Sequence, residues 1–303
     1  MNRIENAFKN KPIFMPYFPL GYPDVATSID VLEALAKNGA DLIEVGLSFS
    51  DPLADGPVIQ KATQIALEQG ITVRKSLDAV KELRQRGVEI PLVLMGYYNP
   101  MLAYGLEQFI CDTIEAGADG FIVPDLPLEE AKEFQSALSR ATAGRVDGSA
   151  LPPSYRDQGS VVEGQLDNTN RPSTALRSAQ DGDVPLIQML APTTPDERME
   201  RVARNAQGFV YLVSVTGVTG ERKSLSEGLG DLIQRVREHT SVPVCVGFGI
   251  STPEQARQVG ELADGVIVGS ACVKTIGGSE NPVETAKRFA GEFRDALRQQ
   301  TRT

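Results

Sequence analysis

Tryptophan is absent from the 303-residue sequence, and histidine occurs once, at His239. A single histidine excludes a histidine-rich zinc site, and its place in a charged, helix-patterned stretch argues against a triad base. The three cysteines, Cys111, Cys245 and Cys272, are odd in number, far apart and form no Cys-x-x-Cys pair. Such spacing carries no disulfide framework and reads as buried thiols in a reducing cytoplasm. Long hydrophobic runs are also missing. Pro91–Met95 and Gly265–Val268, among the longest, fall far short of a bilayer span, and Met1–Asn10 is charged and polar with no apolar signal core. Basic residues are in deficit, 30 Lys and Arg against 40 Asp and Glu, for a formal charge of −10. That balance argues against nucleic acid or an anionic membrane as main partner, so any anionic ligand must be drawn in by local backbone N–H groups.

What is present is rhythm. Apolar residues make up 41% of the chain, enough to fill a sizeable core. Eight short runs, apolar on both faces, occur at Ile13–Phe18, Asp41–Gly46, Pro91–Tyr97, Gly120–Asp125, Pro185–Ala191, Phe209–Ser214, Val242–Gly249 and Gly265–Ser270. They read as buried parallel strands. Amphipathic stretches follow them: Val25–Asn38, Val58–Glu68 and Lys75–Gln85, Leu106–Ala116, Leu128–Ser139, Asp196–Asn205, Ser224–Glu238, Glu254–Leu262 and a last helix Val283–Arg298. Eight strand–helix units predict an α/β fold, a (β/α)₈ TIM barrel occupying residues 1–303 as one domain. The competitor is a doubly wound open sheet, since periodicity does not prove closure. The lack of an early Gly-x-Gly-x-x-Gly and the late position of the glycine-rich strand ends favour the barrel.

Residues Ala141–Asp183 break the rhythm. They are rich in Gly, Ser, Pro, Asp, Asn and Arg and poor in large apolar residues, so they read as a disordered insertion between the fourth helix and the fifth strand. A small binding module is the alternative. Either way the segment leaves from the face opposite the catalytic loops of a barrel.

Reacting groups in such barrels come from the C-terminal ends of strands. The second run ends LIEVGLSFSDPLADGP, Leu42–Pro57. Glu44 lies between Ile43 and Val45, so alternation turns it to the opposite face from both. At the barrel mouth, desolvation would make it an acid and base usable near neutrality; a structural carboxylate is the plainer reading. Asp55, before Gly56, would be drawn into the same site by loop closure, although Asp-Gly is also an ordinary turn, and Asp51 an ordinary cap. Gly247-Phe248-Gly249 and Gly269-Ser270 end the seventh and eighth runs, the second followed by a possible short helix Ala271–Thr275. Together they suit a phosphate on backbone N–H groups at a helix start, or simply end strands. The sixth run leads into Thr216, Gly217, Thr219 and Gly220, which read as a closing loop or as a long connection.

Taken in order, PYFPLGYPD, LIEVGLSFSDPLADG, GYYNP, VPDLPLEE, APTTP, FVYLVSVTGVTG, GFGIS and VGSA resemble the strand-end motifs of tryptophan synthase α subunits across nearly the whole chain outside 141–183. The resemblance implies a lyase that splits indole-3-glycerol phosphate into indole and glyceraldehyde 3-phosphate. It implies that Glu44 protonates C3 of the indole and that Asp55 bonds the indole N–H and steadies positive charge on the ring. It places Tyr211 beside the substrate, Tyr17 against the indole where Phe is common, and Gly220, Gly249, Gly269 and Ser270 around the phosphate. Thr219 would link the closing loop to Asp55. The implied partner is a β subunit carrying pyridoxal phosphate, in an αββα complex that passes indole onward; the α chain itself would need neither metal nor organic cofactor. Ser48 stands where the family usually has Pro, and Pro19 where Thr is common, so loop stiffness at the mouth is where this chain should differ. Two rivals stay open on the residues alone: another phosphate-binding barrel acting on a sugar phosphate, and a barrel kept as an allosteric binding subunit. The first does not explain Glu44 with Asp55, and the second has no need of both.

Overall fold

Each apolar run becomes one short strand: β1 (Ile13–Pro19), β2 (Ile43–Gly46), β3 (Leu92–Met95), β4 (Gly120–Ile122), β5 (Leu186–Leu190), β6 (Val210–Val213), β7 (Val244–Gly247) and β8 (Gly265–Val268). In this computed structural model, which describes residues 2–146, 184–213, 224–247 and 249–299, all eight pair in parallel and in sequence order. β1 pairs with both β2 and β8, so the sheet is a closed barrel and the open-sheet alternative falls. Helices return the chain between strands, as parallel pairing requires, and the predicted helices are present with bounds shifted by a few residues.

The strands are shorter than the apolar runs because the run ends serve another purpose. Asp41, Asp119 and Asp264 immediately precede or lead into β2, β4 and β8. The Asp41 carboxylate accepts the N–H of Phe14 at 2.8 Å, Asp119 that of Leu92 at 2.8 Å, and Asp264 that of Val244 at 3.0 Å. In return the N–H groups of Asp41, Asp119 and Asp264 donate to the carbonyls of Phe14, Leu92 and Val244 at 2.9, 2.8 and 2.9 Å. One Ala-Asp dipeptide, used three times, thus ties the start of an even strand to the start of the odd strand before it. Cations reach all three knots: Arg3 and Arg84 on Asp119, Lys11 and Arg237 on Asp264, and Arg298, more distantly at 3.9 Å, on Asp41.

Three features depart from the sequence reading. The polar N-terminus holds a helix, Arg3–Ala7, started by an Asn2–Glu5 capping box. Its Ile4 is fully buried, and Phe8 packs on Phe209 with ring centroids 5.9 Å apart, so this segment stoppers the N-terminal end of the barrel. A second unforeseen helix, Tyr98–Tyr104, follows β3 directly; Pro100 sits in its first turn, where a missing N–H costs little. Finally the helix Lys132–Val146 runs past the expected boundary, with Ala141 buried, so the insertion cannot begin at 141. The remaining part of that insertion, 147–183, lies outside the described residues, as does the loop 214–223. Cys245 and Cys272 are buried as expected, while Cys111 is half-buried. His239 falls just after the helix Ser224–Arg237, at the end remote from the mouth.

Candidate active site

β2 carries Glu44 into the mouth beside Tyr17 of β1 and Val93 of β3, its register neighbours. Ile43 and Val45, on the other face, are fully buried under helices. Glu44 is 1% exposed, and burial lifts its carboxyl to about 8. Among the described residues its Oε1 has no hydrogen-bond partner. A structural carboxylate would be bonded to backbone or a cation; this one is a neutral acid at pH 7 with a polar atom left over. It lines a cavity of about 570 Å³ whose wall also holds Asp55, Tyr17 and Tyr211.

Asp55 reaches that cavity from the loop after β2. The Tyr97 hydroxyl donates to Asp55 Oδ2 at 3.0 Å and accepts the N–H of Ala54 at 2.9 Å, while Gln60 Nε2 donates to the Asp55 carbonyl at 2.8 Å. Burial raises the Asp55 carboxyl above its ordinary value, and the bond from Tyr97 opposes that rise. The two acids therefore differ: one is buried with nothing to stabilise its charge, the other has a donor. Such divergence is what separates a proton donor from an anionic partner in one site. Earlier in the same loop, Ser48 Oγ donates to the Leu20 carbonyl at 3.3 Å.

Tyr17 and Tyr211 are placed by the same device. Tyr17 pairs with Glu44 and lies over Gly46; Tyr211 pairs with Cys245 and lies over Gly247. A Cβ on Gly46 would come within 2.3 Å of the Tyr17 hydroxyl oxygen, and one on Gly247 within 2.5 Å of that of Tyr211. The missing side chain of Gly247 is thus a slot for a phenol. Both phenols are held neutral, first by burial and then by the nearby carboxyls.

At the other end of the cavity, Gly249, Gly269 and Ser270 line the wall. Gly269 is the N-cap of the helix Ser270–Gly277 and supplies no side-chain cap, so among the described residues no side chain caps the N–H groups of its first turn. The neighbouring helix Pro253–Gly260 is different. Its Thr252–Gln255 capping box is complete, and Gln255 Oε1 also takes the N–H and hydroxyl of Ser251. The open N-terminus after β8 is therefore the place for an anion. Lys274, one turn after Ser270 and so on the same helical face, also lines the cavity.

The structure brings together Glu44, Asp55, Tyr17, Tyr211, Gly249, Gly269 and Ser270 around one cavity. Thr219 and Gly220 lie outside the described residues. Tyr97 and Lys274 were missed, and both had a signal. Val93 and Met95 face inward, so alternation carries Tyr97 inward too; Lys274 follows Ser270 by four.

The family model described as tryptophan synthase alpha chain matches residues 4–153 and 169–300. The chain belongs to the tryptophan synthase alpha chain family. Similar relatives bear that name in Chloroflexus aggregans, 42% identical over 278 residues covering 90% of this chain and 89% of the relative. Another, from Roseiflexus castenholzii, is 42% identical over 98% of this chain and 100% of its own length. Among solved structures, tryptophan synthase subunit alpha from Legionella pneumophila superposes with a TM-score of 0.78 at 31% identity, covering 99% of each chain. Tryptophan synthase from M. tuberculosis gives 0.77 at 30% identity, covering 98% of this chain and 99% of that one. The reaction of the tryptophan synthase alpha chain is the α reaction of tryptophan biosynthesis, a carbon–carbon lyase reaction on indole-3-glycerol phosphate. The match skips 154–168, within the segment that the sequence sets apart.

Proposed function

We propose that Glu44 and Asp55 carry out this cleavage on an indole-3-glycerol phosphate held by its phosphate at the uncapped helix Ser270–Gly277. The carrying observation is Glu44, a buried acid raised to about 8 with Oε1 unpartnered among the described residues, in the wall of a cavity that also holds Asp55. Carbon–carbon cleavage needs the ring carbon C3 to become tetrahedral. The protonated Glu44 delivers its proton to C3, and positive charge spreads to the ring nitrogen. The Asp55 carboxylate accepts the ring N–H and stabilises that charge. Glu44, now a carboxylate, takes the proton of the hydroxyl on the carbon attached to C3. That carbon becomes an aldehyde as its bond to C3 breaks and the electron pair returns to the ring. Indole and glyceraldehyde 3-phosphate leave, and Glu44 is protonated again. Tyr17 and Tyr211 supply flat walls for the indole.

The chain works without metal or organic cofactor of its own, and pyridoxal phosphate belongs to a β subunit that receives the indole in an αββα heterotetramer. The docking face is the loops after β2 and β3. Leu53 is 91% exposed and Leu102 44% exposed, the first in the loop after β2 and the second in the helix after β3, both at the mouth end of the barrel. No helix among the described residues is long and apolar enough to cross a membrane; the cytoplasm is the compartment that fits the metabolic role. The test is indole release from the purified chain with and without a β subunit, beside Glu44→Gln. Gln cannot deliver a proton, so release should fall by about 10³-fold or more while glyceraldehyde 3-phosphate still binds. Comparable release by Glu44→Gln would remove Glu44 from the mechanism, and turnover of other phosphates only would favour the rival barrel reading.

A further inference from the structure

We infer that Tyr97 is a positioning residue that holds Asp55 ionised and turned toward the ring nitrogen of the substrate. The inference rests on the reading of Asp55 above and adds the group through which it acts. The geometry is specific. One phenol oxygen makes two bonds to adjacent residues of the loop after β2: it accepts the Ala54 N–H at 2.9 Å and donates to Asp55 Oδ2 at 3.0 Å. Accepting from Ala54 orients the hydroxyl, because the lone pair used there leaves its hydrogen directed elsewhere. The donated hydrogen then occupies Oδ2, and among the described residues Oδ1 receives no hydrogen bond. A carboxylate with one oxygen engaged and one open is set up to accept a single N–H.

Tyr97 can do this because it is itself fixed. It is 5% exposed, follows β3 on the inward alternation from Val93 and Met95, and packs against Phe49 with ring centroids 5.6 Å apart. Burial and the charge of Asp55 push its phenol well above the ordinary value, so it remains a donor at every pH at which the protein works. The loop itself is otherwise held near Asp55 by the Asp55 N–H on the Pro52 carbonyl at 3.3 Å and by Gln60. Neither of these touches the carboxylate. The titratable groups that share the cavity are Glu44 on β2, Tyr17 on β1, Tyr211 on β6 and Lys274 after β8. The first three are neutral near pH 7, and among the described residues no cation bonds to Asp55. The hydroxyl of Tyr97 is the donor that opposes its desolvation.

Tyr97→Phe removes one oxygen and keeps the ring. In the full chain, kcat for indole release should fall about tenfold, the scale of one lost hydrogen bond to a charged group. Binding of glyceraldehyde 3-phosphate should be unchanged. The acid limb of the pH profile should move to higher pH, because a neutral donor that favours the carboxylate is gone. In an Asp55→Asn background the same substitution should have no further effect on kcat, an outcome that a merely structural role would not give. The ¹³C signal of the Asp55 carboxyl, assigned with Asp55→Asn, should titrate at higher pH in Tyr97→Phe than in the wild type. An unchanged carboxyl titration with an unchanged kcat would overturn the inference. If the wild-type chain releases no indole, the functional reading fails, and the carboxyl titration still decides the role of Tyr97.

Discussion

Glu44 owes its chemistry to what surrounds it, since among the described residues nothing donates to its Oε1, and Tyr17 of β1 and Tyr211 of β6 line the same cavity as neutral phenols. Its value of about 8, against 4.5 for an ordinary Glu, sets two observables. Catalysis needs Glu44 protonated, so kcat/KM should fall as pH rises through about 8, and that alkaline limb should vanish in the residual activity of Glu44→Gln. Stability must move the same way. The native state holds the proton over a range in which the unfolded chain has lost it, so this group favours folding below the unfolded value and opposes it increasingly up to the folded one. Glu44→Gln should therefore melt above the wild type at about pH 9, with the gap closing toward about pH 5; equal melting curves at both would show that Glu44 is not buried as an acid. Gly46 is as constrained as Glu44. Its missing side chain is where the Tyr17 hydroxyl lies, so Gly46→Ala should cost about 1–3 kcal/mol through overpacking and lower activity. Tyr17→Leu should recover part of the stability and none of the activity, a split read by thermal melts beside indole release.

The strands and helices that carry these residues were largely legible, because a barrel strand buried on both faces has a plain apolar signature and several helices begin at a turn or capping residue, such as Asp24, Gly56, Thr72 and Thr252. Their N-terminal ends were less so. Nothing local distinguishes Asp41 from a loop aspartate until its partner Phe14, 27 residues earlier, is known. The same holds for the stopper helix Arg3–Ala7, whose Ile4 and Phe8 look isolated in sequence and are joined only by closure of the barrel. The three aspartate knots share a backbone bond pattern and differ in charge environment, which yields opposite expectations. Burial raises Asp41, the bond from Phe14 and the more distant Arg298 and Arg294 offsetting it only in part. Burial would raise Asp264 as well, but Lys11, the Val244 N–H and Arg237 outweigh it and hold it low. Asp264 thus contributes stability that is present above the unfolded carboxylate value and is lost as pH falls through the folded one, whereas the contribution of Asp41 is fully present below the unfolded value and is lost as pH rises through the folded one. Asn can still accept the strand N–H in either place. Asp264→Asn should cost roughly 1–3 kcal/mol at neutral pH, and Asp41→Asn should be neutral or stabilising there; denaturant melts of both would expose the error if the two behaved alike. On the helix Ser270–Gly277, Lys274 adds a charge to an anion site otherwise made of backbone. Lys274→Met should raise KM roughly a few-fold without changing kcat, as exposed charges do, and the difference should shrink in high salt.

For the molecule as a whole, a net charge of −10 means that its long-range field repels a phosphorylated substrate. On the proposed reading, binding would depend on the helix start at Ser270 and on Lys274 acting at short range at the wall of the cavity. The helix Lys132–Val146 ends, and β5 begins, at the pole opposite the site, because a helix that returns from the mouth of a barrel ends at the N-terminal face where the next strand begins. Sequence composition sets 147–183 apart from the rest, and the family match omits 154–168 within it. Replacing 147–183 with a short Gly-Ser linker should leave indole release and its pH profile unchanged. The cut must respect the helix end: removal from Ala141 onward would strip a buried residue from the last turns of the helix and should lower the melting temperature where removal from 147 does not. Loss of indole release in the shorter deletion, with the barrel still folded by far-ultraviolet circular dichroism, would show that this pole of the molecule is coupled to the site at the other.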